Sequence, residues 1–162
     1  MSRATSTTTA PQGIFGGISA RLKEGRATGW GVFHGGSRAM IIGGLMLIVS
    51  AFLPWVVIPI AEQSFSLRGT DGPGIVTLAV GFLAFAGAFV PRPMLAVAHA
   101  LIPGVLVALI TGAQIVRIVQ LSATTGSWGG LLPGMGLVLA VGGAIVLLRA
   151  GVRMWRTRPT AA

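Results

Sequence analysis

The sequence predicts an all-α integral membrane protein: a bundle of four transmembrane helices with both termini in the cytoplasm. Charged residues make up only 9% of the 162 residues, and hydrophobic residues make up 53%. A water-soluble domain carries about a quarter charged residues. The basic residues stand mainly at the ends of long apolar runs, where they set the orientation of membrane helices. We therefore expect lipid to surround most of the molecular surface.

Four apolar runs define the predicted membrane domain, residues 38–151, between a tail at 1–37 and a basic tail at 152–162. The predicted spans are about 39–60, 73–90, 94–117 and 131–150. About 20 apolar residues in a helix cross the hydrocarbon layer. Proline inside a helix removes a hydrogen bond and bends the axis. We therefore expect kinks at Pro54 in the first span and at Pro103 in the third.

The connections between spans carry their own signals. Residues 64–68 alternate polar and apolar side chains, so a short strand is one alternative for this loop. Pro73 suits the first turn of the second helix, and the second run spans the membrane only if the helix begins there. Pro91 and Pro93 flank Arg92, which predicts a tight turn between the second and third spans.

The segment 14–26 precedes the first span and has two interpretations. Ile14, Phe15, Ile18 and Leu22 recur at helical spacing, which is typical of a short amphipathic helix on the membrane surface. Gly16 and Gly17 oppose a helix, so an unstructured basic tail is the alternative.

The positive-inside rule places both termini in the cytoplasm. Of the twelve basic residues, all but Arg68 and Arg117 fall on the side of the two tails. Trp55 and Trp128 lie near the predicted outer boundary, and Trp155 lies near the inner one. Amphipathic rings of this kind favour membrane interfaces.

Small residues repeat every four positions in the third and fourth spans, and we interpret them as a helix-packing ridge. The ridge consists of Ala96, Ala100, Gly104, Ala108 and Gly112, with Gly136, Ala140 and Ala144 in the fourth span. Small side chains let membrane helices approach closely. We therefore expect the third span to be the central helix of the bundle.

The net charge of +9 is explained by contacts with lipid headgroups. Arg149, Arg153 and Arg156 recur on one helical face, and Lys23 and Arg26 belong to the segment before the first span. These residues are predicted to face anionic headgroups. Nucleic acid is excluded as a partner, because the cations do not cluster on a water-exposed face.

His99 is the one titratable residue predicted to lie well inside a span, which makes it a candidate for function. It would act as a haem ligand or in a proton relay, or else as a neutral histidine hydrogen-bonded to a neighbouring helix. No second histidine is expected at matching depth. The sequence therefore predicts no cofactor and no metal.

No catalytic constellation is identifiable, so we expect a non-enzymatic protein. The chain has no cysteine, and no span contains the carboxylate on which ion-coupled transport usually depends. The leading hypothesis is an accessory or scaffold subunit that packs against other membrane subunits or against itself. The alternative is a small carrier that handles lipid or another apolar ligand in a cavity opened at Pro103. The Arg-, Ala- and Gly-rich composition favours a bacterial plasma membrane.

Overall fold

The computed structural model describes residues 33–60 and 63–157, and this part of the chain is mostly helical. The helices are α1 (Ser37–Phe52), α2 (Gly74–Gly87), α3 (Pro93–Thr125) and α4 (Met135–Thr157). The remaining elements are β1 (Pro54–Ile60), β2 (Gln63–Arg68), a 3-10 turn (Gly69–Asp71) and β3 (Leu132–Pro133). The prediction of an all-α fold is therefore wrong in one respect, because a small sheet stands beside the helices.

Two helices, α3 and α4, are long and apolar enough to cross a membrane. The apolar helices α1 and α2 are shorter. At 1.5 Å per residue they measure about 24 Å and 21 Å, against a hydrocarbon layer of about 30 Å. By the same measure α3 is about 50 Å long.

The four helices pack in a ring, in which each contacts its neighbour in the chain and α4 closes against α1. Neighbours run antiparallel. Gly36, just before α1, lies next to Met154 near the end of α4, and Gly136 at the start of α4 lies next to Ser50 and Leu53. We call the end that holds Met154 and His34 the His34 end, and the opposite end the sheet end. Among the four described helices none occupies the centre of the ring, contrary to the expectation for the third span.

Pro54 ends α1 instead of kinking it, which corrects the first predicted span. The residue before a proline is driven out of helical conformation, and Leu53 is extended with φ −87° and ψ 159°. β1 then begins at Pro54, where the missing N–H is tolerated. Trp55 completes the end of α1, since its Nε1–H donates a hydrogen bond to the Ser50 carbonyl at 2.9 Å.

The sheet has the order β2-β1-β3, with β1 antiparallel to both neighbours. Ile58 pairs with Phe65 of β2, and Val57 pairs with Leu132 of β3. The strand that was one alternative for residues 64–68 is present as β2. β3 is formed by two residues predicted to begin the fourth span, so that helix starts later, at Met135.

Other helix boundaries also differ from the predicted spans. α3 extends to Thr125, where Gly126 with φ 65° terminates it, as left-handed glycines commonly do. The helix continues on both sides of Pro103, so the kink there stays a prediction. The possible helix at 14–26 lies outside the described residues.

Three of the buried hydroxyls of the helices bond to their own backbones. The hydroxyls of Ser50, Thr77 and Thr111 donate to carbonyls three or four residues earlier, at 2.7 to 2.8 Å, as such side chains do inside helices. Among the described residues, no buried side-chain nitrogen or oxygen lacks a hydrogen-bond partner. The interior therefore offers no unsatisfied polar atom to a ligand.

Candidate functional site at the sheet end

The predicted ridge of α3 is buried at one end and exposed at the other. Ala96, Ala100 and Gly104 are buried, Ala108 is half-buried, and Gly112 is exposed. A Cβ added at Gly104 would lie 2.9 Å from Leu148 of α4, whereas a Cβ at Gly112 would meet nothing within 4 Å. Gly112 therefore does not belong to the packing surface.

Helix geometry explains why the ridge could not continue to Gly112. Four residues turn about 40° beyond a full helical turn. After the four steps that separate Ala96 from Gly112, the position has moved about 160° around the axis. The buried stripe of α3 instead continues through Val107 and Thr111.

The three ridge residues of α4 are all buried: Gly136, Ala140 and Ala144. Gly136 faces α1, because a Cβ there would lie 2.7 Å from the carbonyl oxygens of Ser50 and Leu53. Gly136 of α4 thus lies against α1, while Gly104 of α3 lies against the large side chain of Leu148.

The more buried of the two histidines is not the one predicted to lie inside a span. His99 is half-buried, and its Nδ1–H donates to the Leu95 carbonyl of its own helix at 2.7 Å. His34, which precedes the first predicted span, is buried, with 5% of its surface exposed. The residue that best fits a buried titratable group is therefore His34.

His34 joins the start of α1 to the end of α2. Its Nδ1 accepts a hydrogen bond from the Gly36 N–H at 3.2 Å, and its Nε2–H donates to the Gly87 carbonyl at 3.4 Å. These contacts describe a neutral ring. Burial lowers the pKa of His34, although the hydrogen bond to Gly87 acts in the opposite direction. Ser37 adds a second link, because its hydroxyl donates to the Ala88 carbonyl at 2.7 Å.

Arg149, Arg153 and Arg156 are exposed and line one open groove on α4 together with Val152. This placement suits contact with headgroups. The other two predicted headgroup contacts, Lys23 and Arg26, lie outside the described residues.

Trp55 does not lie at an exposed membrane boundary. It is 2% exposed, because the α1 end, Gly69 and Gly136 all approach its indole. Trp128 and Trp155, by contrast, are 71% and 46% exposed. Two of the three described tryptophans thus remain available to an interface.

Helices α3 and α4 are in close contact at the His34 end, where a Cβ at Gly151 would lie 2.5 Å from the Leu101 side chain. At the opposite end, the residue before α4 is held to β1, because the Gly134 N–H donates to the Trp55 carbonyl at 2.9 Å. Two clefts lie on the sheet-end half of α3.

The first cleft, which we call the polar cleft, collects most of the charged residues at the sheet end. It has a volume of about 300 Å³ and lies between the 3-10 turn, β1, β2 and α3. Its polar wall consists of Arg68, Asp71, Gln114 and Arg117. The Asp71 carboxylate accepts a hydrogen bond from the Arg68 backbone N–H at 3.1 Å, which ties the 3-10 turn to the end of β2.

The second cleft, which we call the apolar cleft, lies between α3 and α4 and has a volume of about 380 Å³. It is lined by Ile115, Ile118, Val119, Pro133, Leu137, Val138 and Val141. Ile118 also lines the polar cleft. The two clefts are therefore neighbours on adjoining faces of α3, with Ile118 between them.

Asp71 precedes the second predicted span and Arg117 ends the third, and both residues line the polar cleft. The apolar cleft was not predicted, because a cavity was expected at Pro103. Pro103 and Gly104 are buried instead, and Gly104 faces Leu148 of α4. The lining of the apolar cleft comes from α3, β3 and α4 together, and no local sequence pattern indicates that these surfaces meet around a cavity.

No known protein family, curated protein or solved structure matches this chain.

Proposed function

We propose that the chain is a non-enzymatic, multi-pass protein of the bacterial plasma membrane that crosses the bilayer four times with both termini in the cytoplasm. The observation that carries the membrane placement is the apolar outer surface of all four helices. The two short helices expose Ile42, Leu45, Val49 and Phe52 on α1, and Ile75, Val76, Phe82 and Leu83 on α2. Lipid is the solvent that suits such faces.

The register of α1 against α4 supports four crossings over two. Gly36, just before α1, lies next to Met154 of α4. Gly43 lies next to Leu147, and Leu53, just after α1, lies next to Gly136. α1 therefore lies beside α4 along its whole length. A helix packed along the apolar length of a membrane span shares its depth. α2 is in turn packed on α1, where Gly44 faces Gly81.

Single-cysteine variants provide a direct test, because the chain has no cysteine. In intact cells, a membrane-impermeant maleimide should label S64C in β2 and S127C after α3, but not T157C at the end of α4. After permeabilisation all three should react. If S64C is protected in intact cells while S127C is labelled, only α3 and α4 cross the membrane and the four-span proposal fails.

Within the membrane, we propose an accessory or scaffold subunit that packs against other subunits. The hydroxyls of Ser50, Thr77 and Thr111 all donate to carbonyls of their own helices. This favours packing over transport, because a polar path needs polar groups that face it. Purification in mild detergent, followed by identification of co-purifying chains, tests this role. A chain that elutes alone as a monomer contradicts it.

A second function, handling of lipid or another apolar ligand, is favoured by the apolar cleft. Its volume of about 380 Å³ falls in the lower range of small-molecule sites. Co-purifying lipid, extracted and identified by mass spectrometry, tests this function separately from the search for protein partners. Lipid that matches the bulk membrane composition contradicts it.

A further inference from the structure

We propose that the polar and apolar clefts form one site for an anionic phospholipid. The phosphate would lie against Arg117 and Arg68, and one acyl chain would lie between α3 and α4. The proposal deepens the second function above, and it rests on the membrane placement.

The chemistry of the two adjoining surfaces supports the proposal. The polar cleft has two arginines against one carboxylate, Asp71, so it carries a net positive charge. Guanidinium groups recognise phosphate through charge-assisted hydrogen bonds, and the Gln114 amide supplies a further donor. The apolar cleft begins at Ile118, where the polar cleft ends. An amphiphile with an anionic head and an apolar tail matches this order of surfaces.

The depth of Arg117 in the bilayer also supports the proposal. The rise from Pro93, at the start of α3, to Arg117 is about 36 Å at 1.5 Å per residue. A bilayer measures about 30 Å across its hydrocarbon and about 40–45 Å with its headgroups. If Arg92 lies in one headgroup layer, Arg117 lies in the other. The apolar cleft, which reaches Val141 on α4, then extends from that layer toward the hydrocarbon.

The apolar cleft is open, and all of its lining side chains are apolar. Farther along the same two helices, Leu148 fills the interface beside Gly104. In a bilayer an open apolar cleft is filled by the most abundant apolar molecule, and the charges at its mouth select among headgroups. The proposed occupant is therefore a membrane phospholipid and not a peptide or a free anion.

The test uses the full chain purified in mild detergent, with phosphatidylglycerol as the probe. Phosphatidylcholine, which is zwitterionic, and inorganic phosphate are the comparison ligands. Bound lipid is counted by native mass spectrometry, and the melting temperature is followed with increasing lipid, since a ligand of the folded state raises it. We expect phosphatidylglycerol to bind and to stabilise, with weaker binding of phosphatidylcholine and no effect of phosphate.

Two substitutions address the two halves of the site. R117Q should weaken phosphatidylglycerol binding about tenfold, as expected for loss of a hydrogen bond to a charged group. Its control is R149Q, an exposed arginine on the opposite half of the molecule. V138W should fill the apolar cleft and weaken binding similarly. Its control is V105W, since Val105 is exposed on α3 outside both clefts. All four positions are exposed, so each variant is expected to fold.

Several outcomes would overturn the proposal. Equal losses for R117Q and R149Q would indicate non-specific attraction to the basic surface. Equal effects of V138W and V105W would remove the apolar cleft from the site. Stabilisation by inorganic phosphate equal to that by phosphatidylglycerol would indicate an anion site without a lipid. Because binding is measured in detergent, these results are independent of S64C labelling, so failure of the lipid site is distinguishable from failure of the four-span topology.

Discussion

Glycine has opposite roles in two regions of the helix ring, the interface between α1 and α2 and the sheet-end half of α3. Between α1 and α2, a Cβ at Gly44 would lie 2.9 Å from the Gly81 carbonyl oxygen and from the Phe85 nitrogen. On the sheet-end half of α3, a Cβ at Gly112 would meet nothing within 4 Å. Gly44 therefore permits close contact between two helices, whereas Gly112 contacts no neighbouring element. The interface between α1 and α2 depends on close approach of the backbones. The sheet end contains the sheet, the buried Trp55 and the two clefts.

The largest effect is expected for the substitution that disrupts the close contact between α1 and α2 at Gly44. G44A should lower the free energy of unfolding by about 1–3 kcal/mol, the usual cost of overpacking, because backbone atoms of α2 must move. G112A is the matched control. It should be neutral or should stabilise by up to about 1 kcal/mol through helix propensity. Thermal unfolding in detergent measures both, and equal melting temperatures would remove the distinction between the two halves.

The next effect concerns the end of α1. W55F removes the donor to the Ser50 carbonyl and leaves space beside Gly136, so we expect a loss of about 1–3 kcal/mol. W128F changes a side chain that is 71% exposed and should leave the melting temperature unchanged. If both variants have the wild-type melting temperature, the stability of the sheet end does not depend on the Trp55 indole.

A pH-dependent effect is expected at the His34 end. The pKa of His34 is lowered from 6.5 by burial, so near and below that pH the unfolded chain binds a proton more readily than the folded chain does. The contribution of His34 to stability is then complete above about pH 7.5 and declines as the pH falls through about 6.5 toward the lowered pKa. Melting curves between about pH 8 and pH 5 measure this decline. H34Q, which keeps an N–H donor and does not titrate, should reduce it, and an unchanged slope would assign the effect to other groups.

The smallest expected effect lies in the polar cleft. D71N keeps an oxygen that can accept from the Arg68 N–H, and the site is exposed. We expect a change below about 1 kcal/mol in the free energy of unfolding. A loss as large as that of W55F would mean that the 3-10 turn holds the sheet end together as strongly as Trp55 does.

The sequence was sufficient for the four apolar runs, because length and composition alone separate them from the loops. It was insufficient for the start of the sheet. Pro54 was interpreted as a kink, since a helix can continue past a proline. β1 is a strand because it pairs with β2 and, through Val57, with Leu132 of β3. The second pairing joins residues far apart in the chain, and local patterns carry no information about it.

The candidate site could be predicted in part. Arg117 and Asp71 stand at the ends of predicted spans on the same side of the bundle, so their common end of the molecule was predictable. The apolar cleft is formed by residues of α3, β3 and α4 together, and β3 is positioned by its pairing with β1. The burial of His34 likewise depends on Gly87, more than 50 residues away. Such contacts become visible only in three dimensions.

The pairing of β1 with β3 also orders events during synthesis. β1 follows the first helix, whereas β3 stands just before the last helix and is made much later. Until β3 emerges, the edge of β1 that pairs with Leu132 and Pro133 has no partner within the sheet. The chain therefore cannot complete its sheet until Pro133 has left the ribosome. A nascent chain stopped before residue 132 would present that open strand edge to chaperones and proteases.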